Sequence, residues 1–255
     1  MIKELTWDSA FFNRKMGELV IPSNEPTKIE GAIRKAQEHG FQYLTCRIEN
    51  QDTSFIRLLE SLGFYLSDIG VTSAIETDKF LSNPPIPPFG KGGRRGILKG
   101  VRESIKVATY KDIPMLKRMI KALFLESRFY NDPFFSKQEA DKLYQAWIEN
   151  SVKGLVADVV FCIHHTGFVT CRKAGQGSGE IVLIGIKRGR RGKGFGTALV
   201  GQAMEWFKAQ GIKTVSVRTQ LKNLNAVNFY LRLGFSIKEY DLVFGNILYL
   251  NRAIL

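Results

Sequence analysis

The sequence predicts an α/β protein built on a mixed sheet, and three observations carry that prediction. Short apolar runs of strand length alternate with longer stretches whose apolar residues recur with the helical period. Glycine stands just past several of the helical stretches, at Gly40, Gly63, Gly211 and Gly234, where a helix stops and a strand begins. The composition, 44% hydrophobic and 11% aromatic over 255 residues, is that of an ordinary globular chain with enough apolar surface for a core.

Taken in order, the chain reads as strand (Glu18–Ile21), helix (Pro26–His39), strand (Phe41–Arg47), helix (Thr53–Leu62) and then two strands. Proline at a helix start and glycine past its end follow the usual asymmetry of helix termini. A strand near Ile105–Ala108 comes next, then helices over about 112–125 and 136–150, with Pro114 in a tolerated first-turn position. Strands follow near 157–164, 167–173 and 180–186, then a helix from Gly194 to Gln210 and a strand over Thr214–Arg218. A helix over about 224–233 and a closing hairpin, 235–240 with 242–250, end the reading.

One stretch, Ser82 to Gly96, breaks this texture: it holds half of the eight prolines beside four glycines. Proline lacks an amide donor and glycine favours the unfolded chain, so this segment reads as a linker. The expected organisation is a first unit over 1–81, a linker over 82–97 and a larger unit over 98–255. The segment Phe55–Phe64 also echoes Val227–Phe235 as amphipathic helix, capping glycine and Phe entering a strand. That echo is either the common look of any helix–Gly–strand unit or a duplicated half whose first copy has lost its site.

Several classes are excluded at this stage. No uncharged apolar run approaches the roughly 18 residues of a membrane span, and the N-terminus has no basic-then-apolar layout of a secretory leader. Cys46, Cys162 and Cys171 lie far apart, so reduced buried thiols in a cytoplasmic protein are expected rather than a disulfide frame or a metal site. His164 and His165 are adjacent and, on a strand, would point to opposite faces. The net charge of +13 implies an anionic partner. Five of the seven residues from Lys187 to Lys193 are cationic, and five more cations lie between Lys91 and Arg102, so the basicity is local.

The strongest local signal is Ile184-Gly185-Ile186-Lys187-Arg188-Gly189-Arg190-Arg191-Gly192-Lys193-Gly194-Phe195-Gly196-Thr197, between an expected strand and an expected helix. Glycines let the backbone approach a ligand, and free amides at a helix N-terminus bind phosphate. It is no Walker loop, since Lys187 stands where the first glycine belongs and Gly194 follows the lysine; Thr197 breaks the dinucleotide pattern. Arg191, Gly194 and Gly196 instead resemble the (Gln/Arg)-x-x-Gly-x-(Gly/Ala) loop of the GNAT (GCN5-related) N-acetyltransferases. Downstream, Asn223, Ala226 and Tyr230, closing with Gly234-Phe235, are similar in spacing and order to that family's second motif. The resemblance implies a GNAT fold over the larger unit, preceded by a smaller, degenerate GNAT-like unit.

A narrower resemblance covers Glu126-Ser127-Arg128-Phe129, Tyr144 to Ser151 with Trp147, and the opening Leu5-Thr6-Trp7-Asp8. These look like segments of the dTDP-fucosamine (dTDP-4-amino-4,6-dideoxygalactose) acetyltransferases. The resemblance implies acetyl-CoA as cosubstrate, no metal, and a nucleotide-linked amino sugar as the anionic acceptor. By the same resemblance, the Val182–Ile186 backbone, including Ile184 and Ile186, pairs with the pantetheine arm, and Arg191, Gly192, Gly194, Gly196 and Thr197 cradle the pyrophosphate. The Ile186 amide faces the developing oxyanion, Asn223 holds the arm and Tyr230 is the general acid. Glu180 at the strand start and Glu126 beside the Ser-Arg-Phe segment are candidates to take the amine's proton, with a water chain as the other route. Arg128 is a clamp for the acceptor's phosphate, and Tyr130, Phe134 and Trp147 a lining for its sugar or base.

Each of these residues also has a structural reading: Tyr230 as a core tyrosine, Asn223 as a helix cap, Arg128 as an ion pair, the aromatics as core. Other functions stay open, namely acetylation of a protein N-terminus, a lysine or a small amine, a basic nucleic-acid-binding module, or a relic that senses CoA. Two compact cation segments without interleaved aromatics argue against nucleic acid and for a small anion. The sequence leaves a homodimer open and places nothing in a membrane.

Overall fold

In a computed structural model, residues 1–20, 25–49, 53–80 and 101–248 are described. The linker read at 82–97 lies outside them. The first part of the chain runs β1 (Ile2–Glu4), α1 (Thr6–Phe12), β2 (Met16–Leu19), α2 (Pro26–Glu38), β3 (Tyr43–Ile48), α3 (Thr53–Ser61) and β4 (Tyr65–Glu76). The second runs β5 (Lys106–Val107), α4 (Ile113–Ile120), α5 (Arg128–Asn131), α6 (Lys137–Val152), β6 (Val159–Ile163), β7 (Gly167–Gly175) and β8 (Ser178–Ile186). It ends with α7 (Phe195–Ala209), β9 (Thr214–Gln220), α8 (Leu224–Arg232) and β10 (Ser236–Ile247).

All ten strands form one mixed sheet in the order β1-β2-β3-β10-β4-β9-β8-β7-β6-β5. The α/β class and the mixed sheet therefore stand as expected, and the two parts of the chain share the sheet. Four details differ from the sequence reading. The closing hairpin is a single strand, because Asp241, which reads as a turn residue, is buried under the guanidinium of Arg218 instead of turning the chain. The two strands expected after Leu62 are likewise one, β4, and this strand takes the hairpin partner's place beside β10. The helix expected to reach 125 ends at Ile120, where Lys121 is extended and Ala122 takes φ 53°. The opening strand β1 and helix α1 carry no periodicity long enough to be read.

The echo in the sequence extends to backbone geometry. After α3, Gly63 (φ 85°) donates to Glu60 O and Phe64 to Leu59 O; after α8, Gly234 (φ 91°) donates to Leu231 O and Phe235 to Tyr230 O. Both are Schellman caps, which need a glycine in the left-handed region. At the same offset in numbering, Phe41 donates to Ala36 O as Ile212 donates to Phe207 O. Strand registers repeat too: Leu242↔Ile48 and Phe244↔Cys46 match Val71↔Thr219 and Ser73↔Val217, and β2 runs parallel to β3 as β8 does to β9. The two halves are related by an approximate twofold axis through the β4–β10 pair. Each half's last strand lies beside the other half's middle strand, so the halves are exchanged into each other.

On one face of the sheet α2 and α3 cover Leu44, Cys46 and Phe244, and α7 and α8 cover Ile181, Val215 and Val217. On the other, α4 and α6 cover Val160, Cys162, Phe168 and Leu183, while Phe12, Met16, Tyr43, Phe135 and Leu143 form a second cluster over the first half. Asp132 ties this second cluster together, accepting from Tyr43 at 2.6 Å, from Tyr65 at 2.7 Å and from the Phe134 amide at 3.0 Å. Between the two clusters, over β9, β4, β10 and β3, the sheet presents Arg218, Asp68, Gly70, Asp241, Thr45 and Arg47, a strip of polar and charged groups.

Candidate active site

The site starts from how β8 and β9 separate. Their parallel ladder runs from Ser178↔Thr214 to Ile181↔Val217 and stops there, although both strands continue. A bulge against β7 lies at the same place, where the Leu183 amide donates to Thr170 Oγ1 at 2.9 Å. Bulges bend the strand that carries them, so β8 turns away from β9. The Leu183 and Lys187 amides donate toward β7, the latter to Thr166 O at 2.9 Å. Successive strand amides point to opposite edges, so those of Ile184 and Ile186 point toward the opening. Gly185 lets Phe168 and Leu123 pack close to the strand here: a Cβ would stand 2.8 Å from Phe168 and 2.9 Å from Leu123.

Beyond β8 a short 3-10 turn, Arg188–Arg190, leads to α7. Gly192 (φ 73°) and Gly194 (φ 84°) take the left-handed conformation, and no side chain caps the first amides of α7. Gly196, in the first turn, lets α7 approach α8: a Cβ there would stand 3.2 Å from the Phe229 ring. Uncommitted amides at the positive end of a 15-residue helix, with nothing within 4 Å of where a Gly192 Cβ would project, fit a diphosphate. Arg191 is exposed and its Nε donates to Ile186 O at 3.1 Å, while Thr197 lies in the first turn. Beside this cradle a cavity of about 410 Å³ is lined by Met119, Leu123, Arg118, Lys121, Lys187 and Arg188, among others. Lys187 and Arg188 belong to the sequence motif; Arg118 and Lys121, on and after α4, carry no motif and were not singled out.

Asn223 caps α8, its side chain accepting from the Ala226 amide at 3.2 Å. Tyr230 is 2% exposed, packed against Phe229 and Phe235, and burial pushes its hydroxyl up from the ordinary tyrosine range. No hydrogen bond holds that hydroxyl among the described residues. In the first half the equivalent of Tyr230 is Leu59, and the loop before α2 has neither the glycines nor the cations of the second. That half has the frame of the site without its chemistry.

The residues expected on the acceptor side are not gathered at one point. Glu180 lies six residues before Ile186, about 20 Å along an extended strand, and pairs with Arg172 across the ladder. Glu126 is exposed on the loop before α5. Arg128 donates through Nη1 to Thr45 Oγ1 at 3.2 Å and lies over its neighbour Phe129. Tyr130 donates to Asp141, and Tyr130, Tyr144 and Trp147 stack in the cluster under α4 and α6; Phe134 stacks on Tyr43. These aromatics are thus core on one side. His164 and His165 sit in the β6–β7 turn rather than on a strand, with rings in contact at 4.1 Å. Among the described residues no group of His, Cys, Asp and Glu is arranged to hold a metal ion, and no helix is long and apolar enough to cross a membrane.

Sequence reasoning passed over the strip itself. Asp241, 5% exposed, accepts from Arg218 at 3.1, 2.9 and 2.6 Å and meets Arg47 Nε at 3.2 Å. Arg47 and Arg218 are equivalents in the two halves, and Gly70 is the equivalent of Asp241, so one carboxylate near the axis serves both arginines. Asp68 is buried and, among the described residues, accepts only from the adjacent Ile69 amide, at 2.9 Å; burial raises its carboxyl from the usual range, against the pull of Arg218, Lys222 and Arg128. Asp8 is raised by burial as well, against the charge of Arg128. The Tyr144 hydroxyl is pushed up to about 12 by burial, with Ser127 and Arg128 opposing and Asp68 adding to the rise. Ser127 Oγ, beside that hydroxyl, is sealed from solvent and makes no hydrogen bond of normal geometry among the described residues. The only sequence signal was charge inside otherwise apolar strand runs.

Residues 120–235 match the acetyltransferase (GNAT) family. Among curated proteins, the dTDP-fucosamine acetyltransferase of Escherichia coli O6:H1 is 25% identical over 243 residues, 93% of this chain and 94% of that protein. Streptothricin acetyltransferase A of Bacillus subtilis is 30% identical over 119 residues, 46% of this chain and 67% of that one. Among solved structures, a GCN5-related N-acetyltransferase from Sphaerobacter thermophilus aligns with a TM-score of 0.57 at 17% identity, over 92% of this chain and 73% of that one. With a family match over the parted strands, the cradle and Tyr230, and an acetyltransferase 30% identical of which the chain covers 67%, the chain belongs to the GNAT family of N-acetyltransferases.

Proposed function

We propose that this acetyltransferase uses acetyl-CoA to acetylate the amine of a nucleotide-activated amino sugar of the dTDP-4-amino-4,6-dideoxyhexose class. The observation that carries the cosubstrate is the parted β8–β9 edge, with the amides of Ile184 and Ile186 facing the opening, continuous with the glycine cradle at the start of α7. The acceptor class is supported by the likeness along nearly the whole chain to a dTDP-fucosamine acetyltransferase. Free, buried Cys46, Cys162 and Cys171 suit the reducing cytoplasm, where we place the reaction.

In this reading the backbone of Ile184 and Ile186 pairs with the pantetheine arm, and the amides from Arg191 to Thr197 hold the pyrophosphate, with Asn223 beside the arm. The acceptor nitrogen attacks the acetyl carbonyl carbon, and the Ile186 amide donates to the oxygen on which charge develops. As the carbon–sulfur bond breaks, Tyr230 gives its hydroxyl proton to the departing thiolate, and its depressed acidity keeps that proton in place until then. The amine's proton leaves to water or to the exposed Glu126; Glu180 is engaged by Arg172. Arg128 pairs with the acceptor's phosphate, and Tyr130 and Trp147 stand behind the sugar.

Calorimetric titration with acetyl-CoA tests the reading. The parent protein binds, and Gly194→Trp, which puts bulk and a disfavoured φ into the cradle, does not. At 100 times the dissociation constant the ligand also stabilises the fold by about 2.7 kcal/mol, seen as a rise in melting temperature. A folded parent that binds no acetyl-CoA would overturn the proposal. Binding with turnover only on a protein N-terminus, a lysine or a polyamine would replace the acceptor.

A further inference from the structure

We propose that the polar strip over β9, β4, β10 and β3 is the acceptor site, shared by the two halves of the chain, with Asp68 holding the amine-bearing end of the acceptor and Arg128 its anionic end. This rests on the acetyl-transfer reading for where the acetyl group lies.

Position comes first. Continuing the parallel register past Ile181↔Val217 sets Gln220 level with Ile184, and Gln220 is paired to Gly70 on β4. The Leu221 amide donates to Ile69 O at 2.8 Å, holding β4 beside the end of β9, so Asp68 stands at the height where the strands have parted. The strip lies on the face covered by α4 and α6 and is bounded by apolar clusters on both sides. A ligand leaving the opening on that face meets Asp68 before it reaches Thr45 and Arg128.

Charge comes second. Arg218, Arg47 and Asp241 satisfy one another, which leaves their neighbours over. Asp68 has no ion pair among the described residues, and Arg128 donates only to a neutral hydroxyl, that of Thr45. A buried carboxylate and a guanidinium that do not pair with each other match a ligand carrying both signs. Ser127 Oγ, 2% exposed, makes no hydrogen bond of normal geometry among the described residues and lies beside the Tyr144 hydroxyl at the same place. Burying such groups without a partner is costly, and a hydrogen-bonding ligand removes the cost.

Length comes third. From β4 to β3 is two strand spacings, about 10 Å, the scale of a hexose carrying a diphosphate. Asp68 and Thr45 both come from the first half, which lacks the cradle and the tyrosine. Its remaining contribution is one wall of the acceptor site.

The test uses the full chain with acetyl-CoA, dTDP-4-amino-4,6-dideoxygalactose and, as a fragment without the amine, dTDP. Asp68→Asn should raise KM for the amino sugar at least about tenfold, the loss of one charge-assisted hydrogen bond, with KM for acetyl-CoA and dTDP affinity unchanged. Asp68→Glu should recover part of the loss. Arg128→Ala should weaken dTDP at least about tenfold with Arg128→Lys intermediate, and Thr45→Val, which preserves shape, should weaken it severalfold. An unchanged amino-sugar KM in Asp68→Asn, or unchanged dTDP affinity in both Arg128→Ala and Thr45→Val, overturns the proposal. A parent that binds acetyl-CoA but neither sugar nor dTDP also overturns it and leaves acetyl transfer standing. A parent that binds dTDP through Arg128 but no acetyl-CoA does the reverse.

Discussion

Tyr230 and Leu59 occupy equivalent places in two helix–glycine–strand units, and only the second carries a hydroxyl. That hydroxyl breaks no hydrogen bond when removed, so Tyr230→Phe should leave thermal stability within about 0.5 kcal/mol of the parent. As general acid it should lower kcat by about a hundredfold or more, with little change in either KM. A stable variant with full kcat would make Tyr230 a core residue and nothing else. Gly70 makes a different demand: a Cβ there would stand 1.9 Å from Arg218 Nη2 and 2.4 Å from Asp241 Oδ1. The guanidinium cannot swing away without leaving a buried carboxylate short of partners, so Gly70→Ala should destabilise the protein by about 1–3 kcal/mol in denaturant titration. The cradle glycines, Asn223 and Tyr230 were legible in the sequence because their geometry is local, fixed by spacing along one loop or one helix. Asp68 and Thr45, of the proposed acceptor site, were not, because their neighbours there come from distant parts of the chain; the Arg128–Thr45 contact spans 83 residues.

At the scale of elements, α4 and α6 are joined by Lys117 and Glu149, and Lys153 grips the same carboxylate, both at 2.6 Å. These hydrogen bonds hold the Glu149 carboxyl down from 4.5 to about 2. A depressed carboxyl adds stability that is fully present above pH 4.5 and is lost as pH falls from there toward 2. Solvent screens this partly exposed pair, so the effect is at most about 1 kcal/mol. Glu149→Gln should therefore melt slightly below the parent at pH 6, and the gap should close on acidification through that window. A gap independent of pH would mean that packing, not charge, joins the two helices. Element types were mostly readable, since period and glycine stops are strong signals. Where the reading failed, a neighbour decided: Asp241 reads as a turn until Arg218 is placed over it, and β10 then runs on as one strand.

At the scale of the whole molecule, the proline- and glycine-rich stretch suggests two separable units, whereas the sheet is continuous from β1 to β5. Because β4 lies between β9 and β10, a chain of residues 98–255 alone would leave two central strands without a shared neighbour. We expect that fragment to be unfolded or aggregated, and to be recovered when residues 1–81 are expressed with it. The intact protein should unfold in one calorimetric transition rather than two. Two separate transitions would show halves that are independent despite the shared sheet. The repeat was visible in sequence only where helix meets strand, because exchange of the last strands preserves local patterns and changes only which strand sits next to which.

The placement of β10 also sets an order of events during synthesis. Its hydrogen bonds reach back across the chain, Thr45 to Phe244 spanning 199 residues, and among the described strands it is made after all the others. Until it arrives, β3 and β4 each wait with an open edge, the kind of surface that pairs with whatever strand comes near. A central strand added last makes for slow closure, since long loops must be gathered before any contact rewards them. The nascent first half is therefore committed to its fold only once the second half is complete.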